Sequence, residues 1–202
     1  MNKEKELIDK LIDLAFAEDI GDGDHTTLSC IPATAMGKSK LLIKEVGVLA
    51  GIEVAKEIFN RFDPTMKVEV FINDGAEVKP GDVAMVVEGK VQSLLQTERL
   101  MLNVMQRMSG IATMTRKYAK KLEGTHTRVL DTRKTTPGMR ILEKMAVKIG
   151  GGVNHRIGLF DMILLKDNHV DFAGGIDKAI TRAKEYCKEK GKELKIEIEV
   201  RN

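Results

Sequence analysis

Cysteine is scarce in this 202-residue chain, and the scarcity excludes two common ways of stabilising a protein. Cys30 and Cys187 are the only cysteines, too few for a disulfide framework and too far apart for a metal motif of paired thiolates. This usage is typical of a reducing compartment. We therefore expect the protein to be cytoplasmic.

Long apolar runs and a strong charge bias are also lacking. No run of about 18 apolar residues occurs, and residues 1–10 are charged, so we expect neither a membrane span nor a signal peptide. Lys and Arg number 33 against 30 Asp and Glu, a net charge of +3. Such a balance is too slight for a general polyanion binder, so we expect no nucleic-acid partner and no membrane partner. Any basic site must be local.

The first half of the chain carries short patterns of both helix and strand. Apolar residues recur at helical spacing from Leu7 to Ala15, which predicts a helix that ends before the turn residues 21–24. Beyond it, the patterns predict strands at 40–46, 66–72 and 83–88 and a helix at 54–62. With 43% hydrophobic residues to form a core, this half is typical of a small α/β sandwich.

The second half begins with a long helical pattern and then alternates strand and helix. The long pattern runs from Gln92 to Leu122, and we expect an interruption near Ser109 and Gly110. After it come predicted strands at 128–130, 162–165 and 194–200 and predicted helices at 139–149 and 176–190. This alternation predicts a parallel sheet or an α/β barrel. We expect two domains, residues 1–110 with the connecting helix and residues 111–202.

Cationic residues follow two of these strands directly. The strand at 128–130 leads into Arg133 and Lys134, and the strand at 162–165 leads into Lys166. Barrels of this class place their sites at the carboxyl ends of strands. Arg grips a carboxylate or phosphate through two hydrogen bonds and Lys supplies a movable point charge, so the set suits a small polyanionic ligand.

Two lysines of the same region are expected to have no such role. Lys144 and Lys148 lie four residues apart on the predicted helix at 139–149, where long cationic side chains usually face water.

The predicted strand at 194–200 alternates between acidic and apolar residues. Glu197 and Glu199 therefore share one face, while Ile196, Ile198 and Val200 pack on the other.

A glycine run at Gly150–Gly152 leaves two interpretations open. It is either a plain loop or a segment whose bare backbone lets a ligand approach, and its spacing does not match a P-loop. His155 follows closely. A metal-ligand role is disfavoured because no second His lies at ligand spacing and Arg156 would repel a cation. We expect His155 to contact an anion or to form a hydrogen bond.

Several longer motifs occur in an order that is specific to one family. They are Glu18–Asp24 with Thr26–Thr27, Leu49–Gly51, Glu98–Arg99, Gln106–Thr113, Asp131–Gly138, Gly150–Gly152 with Asn154–Arg156, Lys166–His169 and Glu197–Glu199. Through these motifs the chain resembles the quinolinate phosphoribosyltransferases, also called carboxylating nicotinate-nucleotide pyrophosphorylases.

The resemblance implies a fold, an assembly and a set of ligands. It implies an N-terminal α/β sandwich followed by an open α/β barrel, and a homodimer in which one subunit's sandwich faces the other's barrel. The implied substrates are quinolinate and phosphoribosyl pyrophosphate, with Mg²⁺ as cofactor. Family members continue beyond the position of Asn202 with a second acidic residue and phosphate-binding loops, so we expect an incomplete barrel and only part of the phosphoribosyl site here.

The resemblance also implies roles for individual residues. It assigns quinolinate binding to Arg133, His155, Arg156, Lys166 and, from the neighbouring subunit, Arg107. It assigns catalytic roles to Lys134, Lys166 and Glu199, with Glu199 also contacting the metal.

Two other functions remain open at this stage. One is a related nicotinate-type phosphoribosyltransferase or a barrel paralogue associated with molybdenum transport. The other is a truncated, non-catalytic dimer that binds anions. A preference for quinolinate over nicotinate would distinguish the enzyme of the implied family from its relatives, because only quinolinate carries a second carboxylate.

Overall fold

A computed structural model describes residues 3–200 of the chain. The backbone packs as two compact units, Met1–Asn154 and His155–Asn202. The domain boundary expected after residue 110 stays a prediction.

The first unit combines five helices with antiparallel strands. The helices are α1 (Lys3–Asp19), α2 (His25–Cys30), α3 (Ile52–Phe62), α4 (Val91–Lys121) and α5 (Arg140–Ile149). The strands are β1 (Met36–Leu42), β2 (Gly47–Val48), β3 (Lys67–Val70), β4 (Glu77–Val78) and β5 (Val83–Lys90). β5 lies between β1 and β3, and β2 pairs with β4. The predicted α/β class is confirmed.

Helices α3 and α4 pack their apolar faces in one core with β5. Ile58 of α3, Met85 of β5 and Met108 of α4 are fully buried in the same cluster. The apolar residues of α3 recur at helical spacing, so they lie on one face of the helix, and this face is buried. Its first turn is capped by Asp74, whose Oδ1 accepts the backbone N–H of Ile52 at 2.9 Å. Burial raises the pKa of Asp74, although backbone N–H groups at this helix end act in the opposite direction.

The long helix α4 is continuous, and the interruption expected near Ser109 and Gly110 is wrong. The Ser109 hydroxyl donates to the carbonyl of Ala50 and accepts that residue's N–H, at 3.2 and 3.0 Å, so it joins the helix to the segment before α3. Gly110 faces open space on the other side. A single glycine costs a helix only about 1 kcal/mol, and the buried face of α4 outweighs that cost.

Two predicted strands differ from the structure. The strand expected at 40–46 is shifted to β1, because pairing with β5 holds residues 36–42 and becomes irregular between Leu41 and Leu42. The strand expected at 128–130 is reduced to an isolated parallel bridge between Leu130 and Val153.

The second unit is a β-α-α-β segment with a parallel pair of strands. Its elements are β6 (Ile163–Leu165), α6 (Asp167–Ala173), α7 (Ile176–Glu189) and β7 (Ile196–Ile198). Leu165 packs against Ala179 and Ala183 of α7, so the helix covers one face of the pair. The parallel arrangement is as predicted, and the described residues form no closed barrel. Within residues 3–200, no helix is both long and apolar enough to cross a membrane.

Candidate active site

The loop after the Leu130–Val153 bridge carries the first pair of candidate cations. Among the described residues, Arg133 Nε is the one buried side-chain nitrogen or oxygen that has no hydrogen-bond partner. No described carboxylate lies within ion-pair distance of the Arg133 guanidinium. Lys134 is exposed, and its backbone N–H donates to Thr132 Oγ1 at 3.1 Å. A buried guanidinium nitrogen without a partner is costly unless a ligand satisfies it.

A buried ion pair joins the beginning of this loop to α5. Lys144 of α5 pairs with Asp131, and the two side chains retain 2% and 6% of their accessible surface. With its amide nitrogen facing this pair, Asn154 donates to Asp131 Oδ2 and to the Lys144 carbonyl, both at 2.9 Å. The expectation that Lys144 faces solvent is therefore wrong, because its helix turns it into the interior beside Asp131. Lys148, one turn further along, is exposed as expected.

Arg107 lies on α4 and forms an ion pair within its own chain. Its Nη2 and Nε donate to Glu143 Oε1 at 2.6 and 3.0 Å, and Nη2 also donates to Thr136 Oγ1 at 3.1 Å. The Arg107 side chain is 51% exposed, whereas that of Glu143 is buried. Burial alone would raise the pKa of Glu143, but hydrogen bonds from Arg107 and Thr136 outweigh it and lower that pKa. The expected role of Arg107 in a partner's pocket stays a prediction.

The glycine run has a structural explanation that neither sequence interpretation included. A Cβ at Gly150 would lie 2.5 Å from the Ala112 carbonyl oxygen and 2.7 Å from Thr115 Cβ. At Gly152 it would lie 2.7 Å from a methyl of Val147. Two of these glycines are thus required because the chain passes against α4 and α5 without room for a side chain.

In the second unit, the ends of two parallel strands bring a cation and a carboxylate together. Lys166 follows β6 and Glu199 follows β7, with Lys166 Nζ 3.8 Å from Glu199 Oε2. The Glu199 backbone N–H donates to the Leu165 carbonyl at 2.8 Å, which fixes the ends of the two strands relative to each other. Lys166 directly follows a strand, as the sequence predicted, whereas Glu199 was expected inside the strand at 194–200 and lies just after the shorter β7.

His155 forms a contact with a residue that had no predicted role. Its Nε2 lies 3.0 Å from Oε2 of Glu197, and the ring is mostly buried. The alternation of β7 puts Glu197 on the same face as Glu199, but it does not identify His155 as the partner. Val200, expected on the apolar face, is instead 57% exposed.

Arg156 is the most buried of the predicted substrate-binding residues, with 9% of its surface accessible. No carboxylate of residues 3–200 pairs with it. A buried guanidinium of this kind is expected to pair with an anion, because an isolated charge in the interior is costly.

A protein-only cage for Mg²⁺ is absent from the described part of the chain, where no three His, Cys, Asp or Glu side chains form a cluster for a metal ion. Glu199 is exposed and carries one carboxylate that could contribute a single metal bond. This fits Mg²⁺ bound through one or two carboxylates plus substrate phosphates, which is the common mode for this ion.

Comparison with known proteins gives a consistent result over nearly the whole chain. The model of the quinolinate phosphoribosyl transferase N-terminal domain matches residues 24–109, and that of the C-terminal domain matches residues 111–202. The decarboxylating quinolinate phosphoribosyltransferase 1b of Nicotiana tabacum is 46% identical over 193 residues, which are 95% of this chain and 54% of the relative. The chain thus spans about half the length of the curated relatives it matches.

Solved structures agree with the sequence matches. The crystal structure of NadC from Streptococcus pyogenes superposes with a TM-score of 0.88 and 40% identity, covering 96% of this chain and 68% of that one. The nicotinate-nucleotide pyrophosphorylase from Francisella tularensis gives a TM-score of 0.88 and 38% identity, covering 98% and 68%. With both domain models of one family matched in order, the chain belongs to the quinolinate phosphoribosyltransferase family.

Proposed function

We propose that this protein transfers a phosphoribosyl group from phosphoribosyl pyrophosphate to quinolinate, with decarboxylation, in the biosynthesis of NAD. Family membership and the names of the relatives support the reaction. In this chain, the strongest support for the proposal is the environment of Arg133. Its guanidinium is partly buried and has no carboxylate partner among the described residues. It lies in the loop that follows the Leu130–Val153 bridge.

Recognition of quinolinate requires cations, because the substrate carries two carboxylates on adjacent ring carbons. We assign Arg133, Arg156 and Lys166 to these carboxylates, with His155 as a hydrogen-bond contact. A planar guanidinium matches a carboxylate through two parallel hydrogen bonds, so it orients the ring as well as neutralising it. Holding the ring nitrogen towards the ribose lowers the activation free energy by roughly several kcal/mol, because the two reactants are already oriented when they react.

The proposed reaction proceeds by charge development on the sugar. The bond from ribose C1 to pyrophosphate breaks, and the ring nitrogen forms the new bond to C1 from the opposite face. The resulting pyridinium accepts the electron pair when the carboxylate next to the nitrogen leaves as carbon dioxide. A proton then takes its place on the ring, giving nicotinate mononucleotide. No side-chain nucleophile is needed.

Stabilisation of the leaving pyrophosphate is the role we propose for Lys134 and Lys166. Each is an exposed ammonium group that can follow a negative charge as it develops. Mg²⁺ would be held by the Glu199 carboxylate together with oxygens of the pyrophosphate, and it would supply further charge neutralisation there.

We further propose a homodimer in which Arg107 contacts the substrate bound by the partner subunit. The support is that Arg107 is half exposed although it pairs with Glu143, so it is reachable from outside the chain. A cytoplasmic location is the expectation from cysteine usage, whereas some relatives are named as mitochondrial or chloroplastic. The compartment therefore stays a prediction.

The reaction is tested with quinolinate that carries an isotopic label in the carboxylate next to the ring nitrogen. Protein is used in excess over the labelled substrate, so that even a slow reaction is measured. We expect labelled carbon dioxide to be released only when phosphoribosyl pyrophosphate and Mg²⁺ are both present. Release no greater than without protein, or release independent of phosphoribosyl pyrophosphate, would contradict the proposal.

A further inference from the structure

Three charged side chains of α5 lie at positions 140, 143 and 144, the spacing that places residues on one side of a helix. Each of them contacts the loop that carries Arg133 and Lys134. Lys144 pairs with Asp131 at the beginning of this loop. Arg140 and Glu143 contact later residues of the same loop.

The middle and end of the loop are held in the same way. Arg140 donates from Nε to Thr135 Oγ1 at 3.0 Å and from Nη2 to the Arg133 carbonyl at 3.3 Å. Glu143 Oε2 accepts the backbone N–H of Thr136 at 3.3 Å. The loop is therefore attached to α5 at residues 131, 133, 135 and 136 through its backbone and its short side chains.

The side chains of Arg133 and Lys134 are absent from this set of contacts. The helix binds the Arg133 carbonyl and leaves its guanidinium, including the buried Nε, without a partner among the described residues. Lys134 is exposed. In this division of contacts, α5 binds the loop backbone and short side chains and leaves both cationic side chains available.

We infer that α5 is a positioning element for the loop that carries Arg133 and Lys134, and that Lys144, Glu143 and Arg140 are its positioning residues. Lys144 is central, because its pair with Asp131 is almost fully sequestered from water and also accepts a hydrogen bond from Asn154. The inference rests on the proposed function for the identity of the ligand. A loop fixed before substrate arrives binds more tightly, because less conformational entropy is lost on binding.

The test uses the whole chain with Asp131→Leu and Lys144→Met combined. Replacing both members of a buried ion pair by apolar residues of similar volume leaves no lone charge, so the free energy of unfolding should stay close to that of the original protein. Amide hydrogen exchange then reports on the loop, and titration with quinolinate reports on binding. Lys148→Met, an exposed position on the same helix, is the matched control.

We expect the Lys134 and Thr136 amides of the double variant to exchange at least tenfold faster, while those of β5 keep their rates. We expect quinolinate affinity to fall at least tenfold, a loss that a merely structural role with unchanged stability would not produce. Unchanged exchange at the loop amides, or unchanged affinity beside faster exchange, would overturn the inference. If the original protein binds no quinolinate, the proposed function fails, and the exchange rates still decide whether α5 fixes the loop.

Discussion

Lys144 on α5 and Asp131 at the end of the Leu130 bridge form an ion pair that is almost completely buried. Two charges removed from water are costly, and the pair is favourable only because each compensates the other. The pair joins the helix to the loop that carries Arg133. Stability and the proposed binding of anions therefore depend on the same contact.

Removing one member of this pair is expected to be severe. Lys144→Met leaves Asp131 buried without its cation, and the free energy of unfolding should fall by about 3–5 kcal/mol. Lys148→Met, at an exposed position of the same helix, should change it by no more than about 0.5 kcal/mol. Urea denaturation of both variants checks this. Equal effects of the two substitutions would mean that the Lys144–Asp131 pair contributes nothing specific.

Two glycine positions should respond to alanine with opposite signs. Gly150→Ala places a Cβ 2.5 Å from the Ala112 carbonyl oxygen and should destabilise the protein by about 1–3 kcal/mol. Gly110→Ala meets no atom within 4 Å on a continuous helix and should stabilise it by about 0.5–1 kcal/mol. Thermal unfolding measures both. A destabilised Gly110→Ala protein would contradict the expectation that this position is open on a regular helix.

Two carboxylates should give opposite dependences of stability on pH. The pKa of Asp74 is raised from its usual 3.8, so its contribution is present below that pH and is lost as pH rises through the folded-state pKa. The pKa of Glu143 is lowered from its usual 4.5, so its contribution is present above that pH and is lost as pH falls through the folded-state pKa.

The corresponding amide substitutions isolate each effect. As pH rises from about 3 towards 7, the original protein should lose stability relative to Asp74→Asn and gain it relative to Glu143→Gln. Chemical denaturation at several pH values gives the two differences. Slopes of the same sign would mean that one of the two pKa shifts has the wrong direction.

The cross-subunit role of Arg107 predicts complementation between two defective chains. In a mixed dimer of Arg107→Ala and Arg133→Ala chains, the first chain keeps its own Arg133 and receives Arg107 from its partner. One of the two sites is then intact, and titration should show quinolinate binding at half the normal stoichiometry. If Arg107 acts only within its own chain, through the pair with Glu143, the mixed dimer contains no intact site and binds no quinolinate tightly.

The sequence predicted the elements of this fold more reliably than their tertiary contacts. Periodicity located α5 and β6 to within a residue or two, because the apolar face of each is local information. It predicted an exposed Lys144, because the partner Asp131 lies thirteen residues away and no local pattern reveals the pair. The turn propensity of Ser109 and Gly110 suggested a break, but packing of α4 outweighs it.

The candidate site divides in the same way. The position of Lys166 at a strand end followed from the alternation of strand and helix, and the structure places its ammonium group near the Glu199 carboxylate. The contact of His155 with Glu197 was missed, because alternation gives the face of a side chain and not its partner. The roles of these residues are those that the family resemblance implies.

The most direct measurement is calorimetric titration of the protein with quinolinate and with nicotinate, repeated on Arg133→Ala and on Lys148→Ala. We predict that the original protein and the Lys148 variant bind quinolinate more tightly than nicotinate. Loss of Arg133 should weaken quinolinate binding by about 2 kcal/mol or more, because it leaves a substrate carboxylate desolvated without its cation. Equal affinity for the two acids, or quinolinate binding that is unaffected by the loss of Arg133, would contradict the account.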